Sequence, residues 1–102
     1  MTRVLVSPEA ANDLRKIHAY IALELQNPSA AAKAVKDLRE SMEPLQTFPE
    51  RGKPLDSVLP VHTPFRYLVC GSYRIFYLTD GNTVEIIRIL HTMQDYMKAL
   101  FS

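Results

Sequence analysis

Tyr73-Arg74-Ile75-Phe76-Tyr77 and Ile86-Ile87-Arg88-Ile89-Leu90-His91, with Asp95-Tyr96 four residues farther on, decide how this chain folds. Both runs are rich in β-branched and aromatic residues, the composition of strands. Each also carries one arginine among apolar neighbours. An unpaired charge buried in a sheet costs several kcal/mol. Arg74 and Arg88 therefore require a carboxylate, an anionic ligand or an open face of the sheet.

Working outward, residues 65–70 form a third β-rich run, joined to residues 73–78 by Gly71-Ser72. A turn around Asp80-Gly81-Asn82 leads into residues 84–90. Both connections have hairpin chemistry, so a three-stranded antiparallel meander is expected. Upstream, residues 2–6 read as a short strand, and Ser7-Pro8-Glu9 is a helix start with a capping hydroxyl, a proline in the first turn and an acid at the positive dipole end. Leu14, Ile17, Ile21 and Leu25 give that helix one apolar stripe, ending near Leu25. Asn27-Pro28 restarts a helix at once, with Ala31, Val35, Leu38, Met42 and Leu45 on its seam. Two helices so closely joined double back as a hairpin, which Ala30, Ala31, Ala32 and Ala34 allow to pack closely. Thr47-Phe48-Pro49 closes the second helix. Residues 49–64, with four prolines and Gly52 between Arg51 and Lys53, are expected to be a solvated connector, with a phosphate-contacting loop as the alternative. Met93, Tyr96, Met97 and Leu100 mark a short C-terminal helix. The fold class is α+β, in one domain spanning residues 1–102.

Side chains alternate along strands. A two-residue turn at Gly71-Ser72 sets Val69 against Arg74 and Tyr67 against Phe76, so Phe65, Tyr67, Val69, Arg74, Phe76 and Leu78 share a face. A second turn of two residues would add Ile87, Ile89 and His91 to that face, and would group Arg88 with Arg66, Tyr73 and Tyr77 on the other. A three-residue turn would instead bring Arg88 beside Arg74, because a one-residue slip inverts every side chain. The helical hairpin is expected to cover one face. The C-terminal helix is too short to cover the other fully.

Composition excludes several classes of function. Hydrophobic residues make up 47% and charged residues 23%, a balance that builds a core rather than a disordered chain. The net charge of +1 means that any polyanion site has to be a local arginine cluster. The lone Cys70 rules out an internal disulfide and fits a reducing compartment, and its apolar strand makes it a core residue. With no signal-like leader or membrane-length apolar run, the expected location is cytoplasmic and no membrane partner is expected. His18, His62 and His91 are too scattered for a metal site, and three glycines form no phosphate loop, so no metal or cofactor is expected.

The remaining chemistry lies with Arg74, His91 and Tyr96. A guanidinium beside an imidazole would bind and act on a phosphodiester, and Tyr96 would stack on a base or assist proton transfer. The same residues also suit a structural role: Arg74 paired with Glu85 or the C-terminal carboxylate, His91 at a strand end, Tyr96 in the core. Asp95 suits a helix surface or the orientation of a partner group.

A short strand, a helical hairpin, Phe48-Pro49-Glu50-Arg51-Gly52, the Gly-x-Tyr-Arg-Ile-x-Tyr of residues 71–77 and the Ile-Leu-His-x-x-x-Asp-Tyr of residues 89–96, in that order, resemble the RelE/ParE superfamily. These are toxins of bacterial type II toxin–antitoxin modules, often called plasmid stabilisation proteins. The resemblance covers nearly the whole chain. It implies an antiparallel sheet with a helical hairpin on one side, growth arrest, and relief by a cognate antitoxin whose flexible segment wraps the toxin, in complexes that can be of higher order. RelE-like members cleave mRNA in the ribosomal A site, and ParE-like members inhibit DNA gyrase. The resemblance carries a functional arginine onto Arg74 and a late His or aromatic onto His91 or Tyr96. It makes Arg66, Arg74, Arg88 and Asp95 candidates for binding the target or antitoxin. The lysines that RelE-like nucleases place on the preceding strand are replaced by Phe65 and Tyr67, with Arg66 between them. A ParE-like gyrase toxin is therefore expected. An mRNA endoribonuclease using Arg74, His91 and Tyr96 is the alternative, and a non-toxic partner-binding module is the third.

Overall fold

A computed structural model describes residues 1–101. β1 (Arg3–Val6) leads directly into α1 (Pro8–Ala19). Ser7 makes that joint rigid. Its Oγ accepts the Ala10 N–H at 3.0 Å and donates to the Ile87 carbonyl at 2.9 Å, and its own N–H donates to the Ile86 carbonyl. The helix start read from Ser7-Pro8 is thus also a cross-link to a strand far along the chain.

The sheet has five strands in the order β1-β5-β4-β3-β2. Its centre is the expected meander of β3 (Arg66–Cys70), β4 (Tyr73–Thr79) and β5 (Thr83–His91). β1 pairs parallel to β5, which the helical crossover between them permits. β2 is two residues, Lys53–Pro54, paired with Tyr67 and Arg66. The expected solvated connector holds for most of the segment, which is exposed, but the segment also adds a strand and buries Gly52, Leu55 and Thr63. The physical reason is apolar content, since Leu55, Leu59 and Phe65 pack with Phe76 and Leu90. Arg51 and Lys53 remain exposed.

α1 continues through a five-residue π-helical turn, Tyr20–Glu24. The extra residue per turn displaces the expected stripe: Leu14 is buried, Ile17 and Ile21 are half-buried, and Leu25 is exposed. Gln26 then takes a left-handed φ of 52°, and the Asn27 N–H reaches back to the Ile21 carbonyl, ending the helix. Asn27 caps α2 (Pro28–Met42) by accepting the Ala30 N–H at 3.1 Å. Pro44 sits in a 3-10 turn, Glu43–Gln46, that tightens the exit.

The helical hairpin covers one face of the sheet. Ala10, Leu14, Leu38, Met42 and Leu45 bury Ile75, Tyr77, Val84, Ile86 and Ile89 there. The opposite face holds a smaller cluster of Leu55, Phe76 and Leu90, overlaid by α3 (Tyr96–Phe101) and the residues before β3. The short helix indeed leaves that face incompletely covered, with Val69, Val58, Val61 and Phe101 all exposed.

Register decides which residues share these faces. Val69 lies opposite Arg74 and Tyr67 opposite Phe76, as the two-residue turn requires. The second turn differs from both expected lengths. Thr79 pairs with Val84, leaving four residues between them, and Asp80 Oδ1 organises the turn by accepting the Asn82 and Thr83 N–H groups. Those two bonds hold the Asp80 carboxyl below its ordinary pKa. A β-bulge follows, because Tyr77 faces Ile86 whereas Phe76 faces Arg88, leaving Ile87 unmatched. Consequently Leu90, not His91, lies opposite Arg74, and His91 lies opposite Tyr73. The expected grouping of Ile89 and His91 with Arg74 is corrected by this bulge. Ile89 belongs to the helix-covered core.

Candidate functional site

Three arginines project from the central strands, and the structure gives each a different fate. Arg66 donates through Nη1 to the carbonyls of Glu50 (3.1 Å) and Gly52 (2.8 Å), binding the connector to the sheet. Next to it the Tyr77 hydroxyl accepts the Gly52 N–H at 2.8 Å. Arg88, at the bulge, leaves both expected clusters and turns to α1. Its Nε and Nη2 donate to Asp13 Oδ2 and Oδ1 at 2.8 and 3.0 Å, a two-point pair that raises the arginine's pKa. Asp13 Oδ2 also accepts the Ile89 N–H at 2.9 Å. β1 stops pairing at Ile86, so α1 supplies the acceptor that the next backbone amide would otherwise lack. Both of these arginines thus have partners within the chain.

Arg74 is the exception. Its guanidinium carbon lies 5.8 Å from the Tyr67 ring centroid and 5.5 Å from that of Tyr96, in contact with two aromatic faces. Its Nε is buried without a hydrogen-bond acceptor, and no described residue forms an ion pair with the side chain. The expected structural partner, Glu85, lies opposite Leu78, well along the hairpin, and is exposed. The C-terminal carboxylate lies outside the described residues. Tyr67 comes from β3, one residue removed from the Arg66 anchor. Tyr96 opens α3, whose first turn is capped by Asp95 Oδ1 accepting the Lys98 N–H at 3.2 Å. The Tyr96 ring stacks on Phe76 at 5.4 Å and 30°, so it is fixed rather than free to receive a base. Leu55, Val58 and Phe76 complete a cavity of about 130 Å³ around these groups.

His91 is not part of this cavity. It lies across from Tyr73, its ring edge-on at 5.5 Å and 88°. Its Nδ1 accepts the Met93 N–H at 3.1 Å, and its backbone N–H donates to Gln94 Oε1 at 2.7 Å, so the ring organises the exit from β5. Arg74 and Tyr96 are thus brought together, and His91, Arg66 and Arg88 are placed elsewhere. Asp95 serves α3 as its cap. Among the described residues no group of three His, Cys, Asp or Glu is placed to hold a metal ion, and no helix is long and apolar enough to cross a membrane.

Two participants lie outside the functional and anchoring groups that sequence reasoning singles out. The Gly71-Ser72 turn puts Tyr67 on the Arg74 face, but nothing local says that its ring clamps the guanidinium. Asp13 does carry a signal: it stands between Ala10, Leu14 and Ile17 on the apolar side of α1, where a carboxylate requires a partner.

Comparison with known proteins bears on this arrangement. Residues 4–96 match the family described as ParE toxin of type II toxin-antitoxin system, parDE. No curated protein matches the chain. Among solved structures, a chain of the chromosomal ParDE system from P. aeruginosa is similar, with 28% identity over 89% of this chain and 96% of that one and a TM-score of 0.73. A chain of the RelBE2 toxin–antitoxin complex from Mycobacterium tuberculosis is similar at 26% identity, over 88% of this chain and 96% of that one, with a TM-score of 0.58. With the family matched from β1 to the first residue of α3, this chain belongs to the ParE toxin family of type II toxin–antitoxin systems.

Proposed function

We propose that this protein acts in the cytoplasm as a growth-arresting toxin that inhibits DNA gyrase and is neutralised by a cognate antitoxin. The observation that carries the choice of target is the make-up of the Arg74 cavity. Its lining offers one guanidinium, apolar walls and two tyrosines whose rings are held against that guanidinium, and apart from those phenols no histidine, lysine or carboxylate among the described lining residues could move a proton. Cleavage of a phosphodiester by an acid–base route needs such groups within hydrogen-bonding reach of the reacting oxygens. A surface with a fixed cation amid apolar residues suits the binding of a protein instead. The antitoxin is inferred from the ParDE and RelBE2 systems to which the chain is similar.

The second reading, an mRNA endoribonuclease, is favoured by two observations: similarity to a RelBE2 chain, and an unpaired arginine on a central strand. Purified protein added to gyrase supercoiling reactions and, in parallel, to a translation reaction followed by mapping of mRNA ends separates the two. Loss of supercoiling with intact message is expected. Cut message with unimpaired supercoiling overturns the gyrase assignment. Unaffected growth at high soluble expression without a partner overturns the toxin reading itself.

A further inference from the structure

We infer that the Arg74 cavity is a receptor for a single carboxylate, the Glu or Asp side chain of a bound polypeptide segment. This deepens the proposed function by naming the chemistry of the partner at that site, and it rests on the reading that a partner protein covers this face. Three observations carry it. First, a guanidinium holds five N–H donors in a planar fork, and here the fork is oriented by two tyrosine rings yet has no acceptor, even at its buried Nε. The two rings leave the edge of the fork as its unused recognition surface, and a carboxylate is the group that matches that edge with two parallel bonds. Second, the cavity of about 130 Å³ has the size of one side chain, and Leu55 and Val58 line it with apolar surface suited to the methylene stem of an acidic residue. Third, the alternative oxyanion, a nucleic-acid phosphate, is poorly served. Polynucleotide binding draws on several cations along a backbone and on open aromatic platforms. Here Arg66 and Arg88 are already committed to Glu50, Gly52 and Asp13, and Tyr96 is stacked on Phe76.

The Nε–H of Arg74, shielded from solvent, gives a distinct NMR resonance for testing this. The intact protein is titrated at constant ionic strength with acetyl-Leu-Glu-Leu-amide, with the isosteric acetyl-Leu-Gln-Leu-amide, and with a 5′-phosphorylated uridine dinucleotide. The glutamate peptide is expected to shift the Arg74 Nε–H and the Tyr67 and Tyr96 ring signals saturably, and the glutamine peptide to bind about tenfold more weakly, as the loss of a charge-assisted bond dictates. In Arg74→Lys and Arg74→Gln, checked for native circular dichroism and melting, the ring shifts should vanish. Equal response to Glu and Gln, response to neither, or survival of the ring shifts in Arg74→Gln overturns the inference. Preference for the dinucleotide overturns it in favour of a nucleic-acid phosphate. Growth arrest is scored separately with the same variants. A toxin without carboxylate preference sinks the receptor alone, whereas carboxylate preference in a protein that never arrests growth sinks the toxin reading alone.

Discussion

Asp13 and Arg88, 75 residues apart in the chain, form a two-point ion pair that joins α1 to the bulge of β5. The same carboxylate holds the Ile89 amide, so one side chain answers both the charge and the backbone donor at the sheet edge where β1 ends. Asp13 is 8% exposed and Arg88 26%, so the pair is partly screened on the arginine side only.

Asp13→Ala is accordingly expected to lower unfolding stability by about 3 kcal/mol, near the lower end for a broken buried pair because Arg88 keeps access to water. Arg88→Ala should cost a comparable amount: the Ile89 amide keeps its acceptor, but the more buried Asp13 carboxylate loses its counter-charge. Urea unfolding of both single variants and of the double variant gives the coupling energy. Additive losses would show that the pair has no energetic coupling.

Gly52 should not tolerate a side chain. A methyl group there would sit 2.5 Å from Tyr77 Oη and 2.6 Å from Cε1, against a ring that is itself fully buried. Gly52→Ala is expected to destabilise by about 2 kcal/mol, in the range for overpacking a tight core. For a domain of this size that corresponds to a melting temperature lower by roughly 8–16 °C. An unchanged melting temperature would show that the connector moves away freely.

Stability should fall at alkaline pH in a way that Tyr77 shapes. Burial holds its phenol above the ordinary 10.0, while the Gly52 N–H bond acts in the opposite direction. The unfolded chain therefore ionises first: the contribution is complete below pH 10.0 and is lost as pH rises toward the higher folded value. Tyr77→Phe removes that part of the decline, making the plot of urea midpoint against pH shallower between about pH 9 and 11. Tyr73, whose phenol is also raised by burial, keeps a residual slope. At neutral pH the same variant is less stable by about 1–3 kcal/mol, because the buried Gly52 N–H loses its acceptor.

His91 and Arg74 are separable by mutation because they occupy opposite faces. His91→Ala should leave growth arrest unchanged, whereas Arg74→Ala should abolish it. Stability should change by no more than about 1 kcal/mol in Arg74→Ala, since the attraction between the guanidinium and two rings disappears together with an unsatisfied buried donor, and the two effects oppose each other. Plating efficiency on induction, with thermal melts of both proteins, checks this. Loss of toxicity in His91→Ala would return the histidine to the working surface.

Much of this architecture is written locally. Ser7-Pro8 and Asn27-Pro28 start helices because a capping oxygen and a preset φ act within one turn. Gly71, at a φ of 57°, makes the tight turn that fixes the β3–β4 register and with it the partnership of Val69 with Arg74. The α+β class, the hairpin of helices and the meander follow from such short-range signals. The β4–β5 register does not: Asp80 shapes its turn locally, but the unmatched Ile87 of the bulge follows no dipeptide preference and shifts every later pair by one residue. The fates of the arginines lie farther still from local sequence. Arg66, Arg74 and Arg88 stand alike among apolar neighbours, and the chain alone dictates only that each charge must be answered. Which one finds backbone carbonyls, which finds Asp13 and which finds only two tyrosine rings is decided by tertiary structure, since acceptors distant in sequence come within hydrogen-bond reach only when the sheet, the hairpin and the connector close together.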